Sequence, residues 1–235
     1  MKRFRIGVGV SILALTIPAF AETAPAAAPA AAVQTKASQS ALKPADALQK
    51  LKDGNARFVS GRSLKRDLPS QVKATASGQY PFAAILSCMD SRGSAELLFD
   101  LGLGDVFSIR VAGNVVDVDG LGSLEYAAKV EGVKLVVVMG HSSCGAVKGA
   151  VDDARLGNLT ALLAKIRPSV ESAGGKADSH DKVLVAKVSE ANVRHSMKEI
   201  RDKSPVLKEM FDSGAVGLVG AMQDLETGKV TFYAD

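Results

Sequence analysis

The chain has 235 residues, 47% hydrophobic and 23% charged, with 29 Lys and Arg against 25 Asp and Glu for a net charge of +4. Trp is absent and no basic stripe is interleaved with aromatic residues, which excludes nucleic-acid binding as the meaning of that charge. The length fits one domain with one sizeable core behind a leader and a tether.

Met1-Lys2-Arg3-Phe4-Arg5 is a basic head, Ile6 to Phe20 is apolar, and Ala19-Phe20-Ala21 forms an Ala-x-Ala site before Glu22. An apolar segment too short to span a bilayer comfortably, with those flanks, reads as a secretory signal peptide over residues 1–21. A retained anchor helix is the competing reading, disfavoured by Pro18 and the cleavage site. Loss of Lys2, Arg3 and Arg5 lowers the basic count from 29 to 26 against 25 acidic residues, and the charge from +4 to +1. The mature chain is therefore expected to be periplasmic or secreted, with no stable membrane anchor. Residues 22–43 follow as an Ala/Pro-rich linker that can bury little, and residues 44–235 as the globular domain.

Within that domain, Pro44 to Phe58 carries apolar residues at helical spacing behind a proline suited to a first helical position. Phe82 to Ser87, Asp105 to Arg110 and Lys134 to Met139 read as strands. Leu121 to Val130, Gly145 to Val151, Leu159 to Val170 and Lys182 to Arg201 read as helices, with Ser172 to Lys176 a loop and Ser204-Pro205 opening another short helix. Ala215 to Ala221 and Lys229 to Tyr233 flank the turn Glu226-Thr227-Gly228 as a hairpin. The alternation predicts an α/β fold, a mainly parallel sheet flanked by helices with an antiparallel hairpin at one edge.

Both cysteines fall at strand ends. Cys88-Met89-Asp90-Ser91-Arg92 follows one apolar run, and His141-Ser142-Ser143-Cys144-Gly145 follows another. In a parallel sheet two such runs end on one edge, where open α/β folds build their sites. Two thiolates, an imidazole and a carboxylate suit a borderline-soft cation in a tetrahedron, which favours zinc on Cys88, Asp90, His141 and Cys144. A Cys88-Cys144 disulfide is the alternative in an oxidising compartment, but it leaves Asp90, Arg92 and His141 without a role. His180 and His195 read as exposed groups.

These motifs, with Gly104-Asp105-Val106-Phe107-Ser108-Ile109-Arg110-Val111-Ala112-Gly113-Asn114 and Ser123-Leu124-Glu125-Tyr126-Ala127, resemble a β-class carbonic anhydrase from Asn55-Ala56-Arg57-Phe58 to the Asp224 to Val230 tail. The resemblance implies reversible hydration of carbon dioxide to bicarbonate and a proton by zinc-bound hydroxide. It makes Cys88, His141 and Cys144 permanent zinc ligands, and Asp90 either a fourth ligand or the partner of Arg92. Gln79 matches a glutamine that donates to a substrate oxygen, Phe107 and Tyr126 match aromatic positions lining the substrate pocket, and the Gly145 amide lies beside the ligand loop. Family pockets draw partly on the neighbouring subunit, so a homodimer or a dimer of dimers is implied. Gly93-Ser94 stands where the family has an apolar residue and Pro, which predicts a looser loop around the dyad. Without Trp, the accessory bicarbonate site of some members is incomplete even with Arg110 in place, which implies the open subtype. The same fold can serve a carbon disulfide or related heterocumulene hydrolase, and the runner-up of another class is a non-catalytic periplasmic zinc-binding module.

Overall fold

A computed structural model describes residues 32–174 and 178–233. The signal peptide, residues 22–31 of the linker and part of the Ser172 to Lys176 loop lie outside the described residues. Among the described residues no helix is long and apolar enough to cross a membrane.

Among the described residues five strands form one sheet in the order β2-β1-β3-β4-β5: β1 (Ala83–Ser87), β2 (Val106–Arg110), β3 (Leu135–His141), β4 (Gly217–Gln223) and β5 (Val230–Tyr233). All neighbouring pairs run parallel except β4 and β5, which close the edge as the expected antiparallel hairpin. β1 and β3 are buried along their whole length, because helices cover both faces of the sheet. Side chains alternate between those faces. Ala84, Leu86, Val136 and Val138 join one apolar cluster, while Ala83, Ile85, Leu135 and Val137 join another.

The first cluster is capped by α5 (Val118–Glu125), α9 (Lys182–Lys203) and α10 (Pro205–Asp212), through Leu124, Val193, Met197, Ile200, Leu207 and Phe211. The second is capped by α2 (Pro44–Val59) and α4 (Ala95–Leu98), through Ala47, Leu51, Ala95 and Leu98. Asn55, buried on α2, ties that layer to the hairpin: its amide donates to the carbonyls of Leu98 and Gly228 and its oxygen accepts from the Val230 N–H. A third cluster sits at the carboxyl edge of the sheet, where α6 (Gly145–Val151), α7 (Gly157–Ala164) and α8 (Arg167–Ser172) meet the start of α9 around Cys88 and Cys144.

Several elements differ from the sequence expectation. Lys36–Ala41, assigned to the linker on composition, is helix α1, closed by a Thr35/Ser38 capping box. Its Gln39 amide is buried and donates to the carbonyls of Pro81 and Glu131, so the folded unit begins before Pro44. Leu68–Thr75, given no element from its sequence, is helix α3, capped by the Asp67 side chain on the Ser70 N–H. The expected helix Leu121 to Val130 starts earlier, at Val118 behind an Asp117 cap, and its last turn, Tyr126–Val130, widens to a π-helix. Leu159 to Val170 is two helices rather than one. A proline ring at 168 clashes with the preceding turn of a continuous helix, and the chain breaks at Lys165 and Ile166.

Gly54 sets how closely α2 approaches the end of α4, since a Cβ there would lie 1.8 Å from the backbone oxygen of Phe99. Overpacking of this kind costs about 1–3 kcal/mol, more than the ~1 kcal/mol that alanine gains over glycine in a helix. Gly54→Ala is therefore expected to melt below wild type, by about 2–4 °C per kcal/mol lost. A higher melting temperature would contradict the packing described.

Candidate metal centre

Cys88 follows directly on β1, and His141 is the last residue of β3, so adjacent parallel strands deliver them to the same edge. Two residues on, Ser143 takes a left-handed φ of 56° that turns the chain back, and Cys144 becomes the residue before α6. The Cys88 and Cys144 sulfurs are 3.9 Å apart, and one ligand atom from each of Cys88, His141 and Cys144 lies within 4.8 Å of the others. Both cysteines are free and buried.

The donor set fits a tetrahedral metal. Two thiolates each ~2.3 Å from one zinc ion sit ~3.8 Å apart, close to the separation seen. His141 Nδ1 lies 2.9 Å from the Ser142 carbonyl, which can only accept, so Nδ1 carries the proton. Nε2 is buried without a hydrogen-bond partner, a costly state for an imidazole unless its lone pair has a ligand to meet. Ser142 is itself pinned, its N–H donating to the Gln223 carbonyl and its hydroxyl accepting from the Leu225 N–H.

The protons of the cluster are unevenly shared. A hydrogen bond from Cys144 pulls the Cys88 thiol well below its usual range, overcoming burial, with His141 and the N–H groups of Gly113 and Asp90 adding to the effect. The same bond, together with burial and the charge on Cys88, pushes Cys144 far above that range. Burial works to lower the His141 pKa, but the Cys88 thiolate, the Ser142 carbonyl and Asp90 raise it overall.

Asp90 stands outside the group of three ligands. Arg92 Nε and its backbone N–H both donate to Asp90 Oδ1, at 2.9 and 3.0 Å, and Nη2 donates to Oδ2 at 2.8 Å. Asp90 Oδ2 is 4.0 Å from His141 Nε2, at the rim of the cluster. Hydrogen bonds from Arg92 hold the Asp90 carboxyl far below the usual carboxylate range. Of the two roles expected for Asp90, the structure shows the pairing with Arg92.

Hydrogen bonds tie down the Gly93-Ser94 segment of this loop. Gly93 is buried, its N–H donates to the Asp90 carbonyl at 3.0 Å, and the Ser94 hydroxyl donates to Glu96. Arg110, at the end of β2, donates to the carbonyls of Cys88 and Asp90 and braces the loop from the other side. Gln223, at the end of β4, reaches the Arg92 carbonyl at 3.5 Å. The register that pairs His141 with Gln223 explains its place, and this cross-strand relation has no signal in the sequence.

The pocket residues are dispersed. Gln79 is exposed on the loop between α3 and β1. Phe107 and Tyr126 meet edge to face at 6.3 Å and line a cleft of about 620 Å³ on the outer side of β2, whose lining includes neither cysteine nor His141. Gly145 is exposed at the start of α6, with open space where a Cβ would be. His180 is exposed and His195 half-buried.

The family model for carbonic anhydrase matches residues 83–230, spanning both metal motifs. A carbonic anhydrase 2 of Mycobacterium tuberculosis is 38% identical over 192 residues, 79% of this chain and 91% of its own length. A carbonic anhydrase of Mycolicibacterium smegmatis is 37% identical over 196 residues, 80% of this chain and 92% of its own. Among solved structures, a β-carbonic anhydrase of Aspergillus fumigatus aligns with a TM-score of 0.64 at 26% identity, covering 80% of this chain and 89% of that one. A tetrameric β-carbonic anhydrase of Sordaria macrospora aligns at 0.65 with 24% identity, covering 81% and 98%, a likeness of fold. Sequence and fold agree over the same residues that carry the cluster, and the chain belongs to the β-class carbonic anhydrase family.

Proposed function

We propose that the carbon dioxide hydration of this family runs here at a zinc ion held by Cys88, His141 and Cys144, with Asp90 and Arg92 as the dyad that orients the attacking water. The observation that carries the reading is the pairing of Asp90 with Arg92 beside three converging donors, which would leave a zinc ion held by those three open to water. Zinc, when bound, supplies Lewis acidity that brings the ionisation of water at an open position down to pH ~7.

The chain's own residues do the rest. Two cysteine sulfurs offset the charge of a divalent cation, and the Nδ1–H bond to Ser142 fixes the His141 tautomer so that Nε2 presents its lone pair. Asp90 stays ionised beside Arg92 and accepts a hydrogen bond from the water O–H, turning an oxygen lone pair toward the carbon of carbon dioxide. A carboxylate held so far below its ordinary range orients and does not retain the proton, which leaves to solvent. A module that only stores metal has no use for such a carboxylate.

Gln79, Phe107 and Tyr126 reach no ligand of their own cluster, which supports an assembly in which a second copy completes the pocket. The face around β2 offers apolar groups for it: Val118 is 78% exposed, Val130 67% and Tyr126 48%. The unit is then a homodimer, alone or paired again. Location in the periplasm or outside the cell follows from the basic head, apolar segment and Ala-x-Ala site of residues 1–21. Amino-terminal sequencing from the natural host is expected to start at Glu22 or close to it, and an intact cytoplasmic form would refute export.

If Arg92 holds Asp90 back, Arg92→Ala should let that carboxylate take the open position. Zinc content should stay near one per chain while the hydration rate falls ~10²-fold or more. Stopped-flow hydration alongside metal analysis separates the two. Full activity with full zinc would overturn the dyad.

Since Cys144 keeps its proton above the ordinary thiol range, metal uptake near neutral pH must expel it. Protons compete with the metal, so affinity should rise about tenfold per pH unit for each proton displaced and weaken as pH falls. Calorimetric titration in buffers of different ionisation enthalpy counts the protons, and zinc binding that releases none would contradict the assignment.

For the assembly, Val118→Asp combined with Val130→Asp should yield monomers by light scattering and lose most of the hydration rate. A monomeric variant with wild-type activity would show that each chain completes its own pocket.

A further inference from the structure

We infer that Asn192 and Ser196, buried on α9, are positioning residues for the metal centre: they hold the Gly113-Asn114 turn so that the Gly113 N–H stays aimed at the Cys88 sulfur. This deepens the zinc reading above and rests on it.

The Gly113 N–H donates to Cys88 Sγ at 3.3 Å in the buried interior. It belongs to a turn, Ala112–Asn114, in which Gly113 and Asn114 both take left-handed backbone angles, φ 67° and 44°. Such a conformation suits glycine and is uncommon for other residues, so it needs support from its surroundings. α9 supplies it. Asn192 Nδ2 donates to the Gly113 carbonyl at 2.7 Å, and Ser196 Oγ donates to the Asn114 carbonyl at 3.0 Å. Four residues apart, the two side chains lie on one helix face and grip consecutive peptide groups.

Both residues are at most 2% exposed, so water cannot replace either bond. The Ser169 hydroxyl on α8 approaches Asn192 Oδ1 at 3.5 Å, which settles which end of the amide faces the turn. A Cβ on Gly113 would lie 2.6 Å from Ile166 Cδ1 and 3.2 Å from Ala146 Cβ, so the turn is closely packed where the glycine stands. An N–H bond to a thiolate draws charge from the sulfur and fixes its direction, and groups that orient metal ligands in this way typically matter 10–100-fold in metal affinity or activity.

The test uses the whole chain with Asn192→Leu, Ser196→Ala and a control, Ser189→Ala. Ser189 is also buried on α9 but bonds only the Val185 carbonyl of its own helix. Loaded with cobalt(II) in place of zinc, Asn192→Leu should shift the thiolate-to-cobalt charge-transfer band to longer wavelength, because a sulfur without its N–H bond is richer in charge. Its zinc dissociation constant should rise ~10-fold. Ser196→Ala should move both quantities the same way by less, and the control should move neither, whatever it does to the melting temperature. Should Asn192→Leu fail to fold, Ser196→Ala against Ser189→Ala decides. A wild type that binds metal, with band and affinity unchanged in the folded variants or equally changed in the control, overturns the positioning role alone. A wild type that takes up no metal overturns the zinc reading and this role together.

Discussion

The parallel pairing of β1 with β3 is the constraint on which the rest depends. Parallel neighbours end on the same side, and because Ser87 pairs with Met139, the residues that follow each strand emerge together at one edge. Helices bury both faces, so that edge is where polar side chains of these strands can collect. A one-residue slip would turn every side chain of β3 to the other face and separate His141 from Cys88. The 3.9 Å between the sulfurs is therefore a product of sheet register, although 56 residues of chain lie between them.

Charge at that edge is arranged in layers. The innermost groups are two buried sulfurs and an imidazole whose donor atoms lie within 4.8 Å of one another, a set suited to a dication. Around them the backbone supplies N–H donors from Gly113 and Asp90, and outside these lie Arg92 and Arg110. The Arg92 side chain is 62% exposed, so its pair with Asp90 adds little to stability. Its consequence is geometric: both oxygens of a flexible carboxylate accept from Arg92 at the rim of the cluster.

The parts legible in the sequence are those with local signatures. Apolar runs ending in Cys88 and His141, the His-x-x-Cys spacing, the β4-β5 turn and the parallel sheet all follow from short stretches read alone. The parts that escaped depend on tertiary partners. Lys36–Ala41 looks like linker by composition, yet Gln39 finds two carbonyls 42 and 92 residues away. Asn192 and Gln223 look like ordinary polar residues of a helix and a strand until tertiary packing brings them beside the metal loops. The break before Pro168 was visible in principle, but the apolar spacing across it favoured one longer helix.

X-ray absorption at the zinc edge of the protein purified from its host tests the account most directly, since it reads the ligands of the metal in solution. Two sulfurs at about 2.3 Å and one nitrogen at about 2.0 Å, with a single light atom in the fourth position that exchanges with solvent, is the expected result near neutral pH. The same spectrum should persist in Asp90→Asn, because Asp90 is held by Arg92 and is not a ligand. Loss of the light-atom contribution in that variant, or a metal-free protein carrying a Cys88-Cys144 disulfide, would contradict the account.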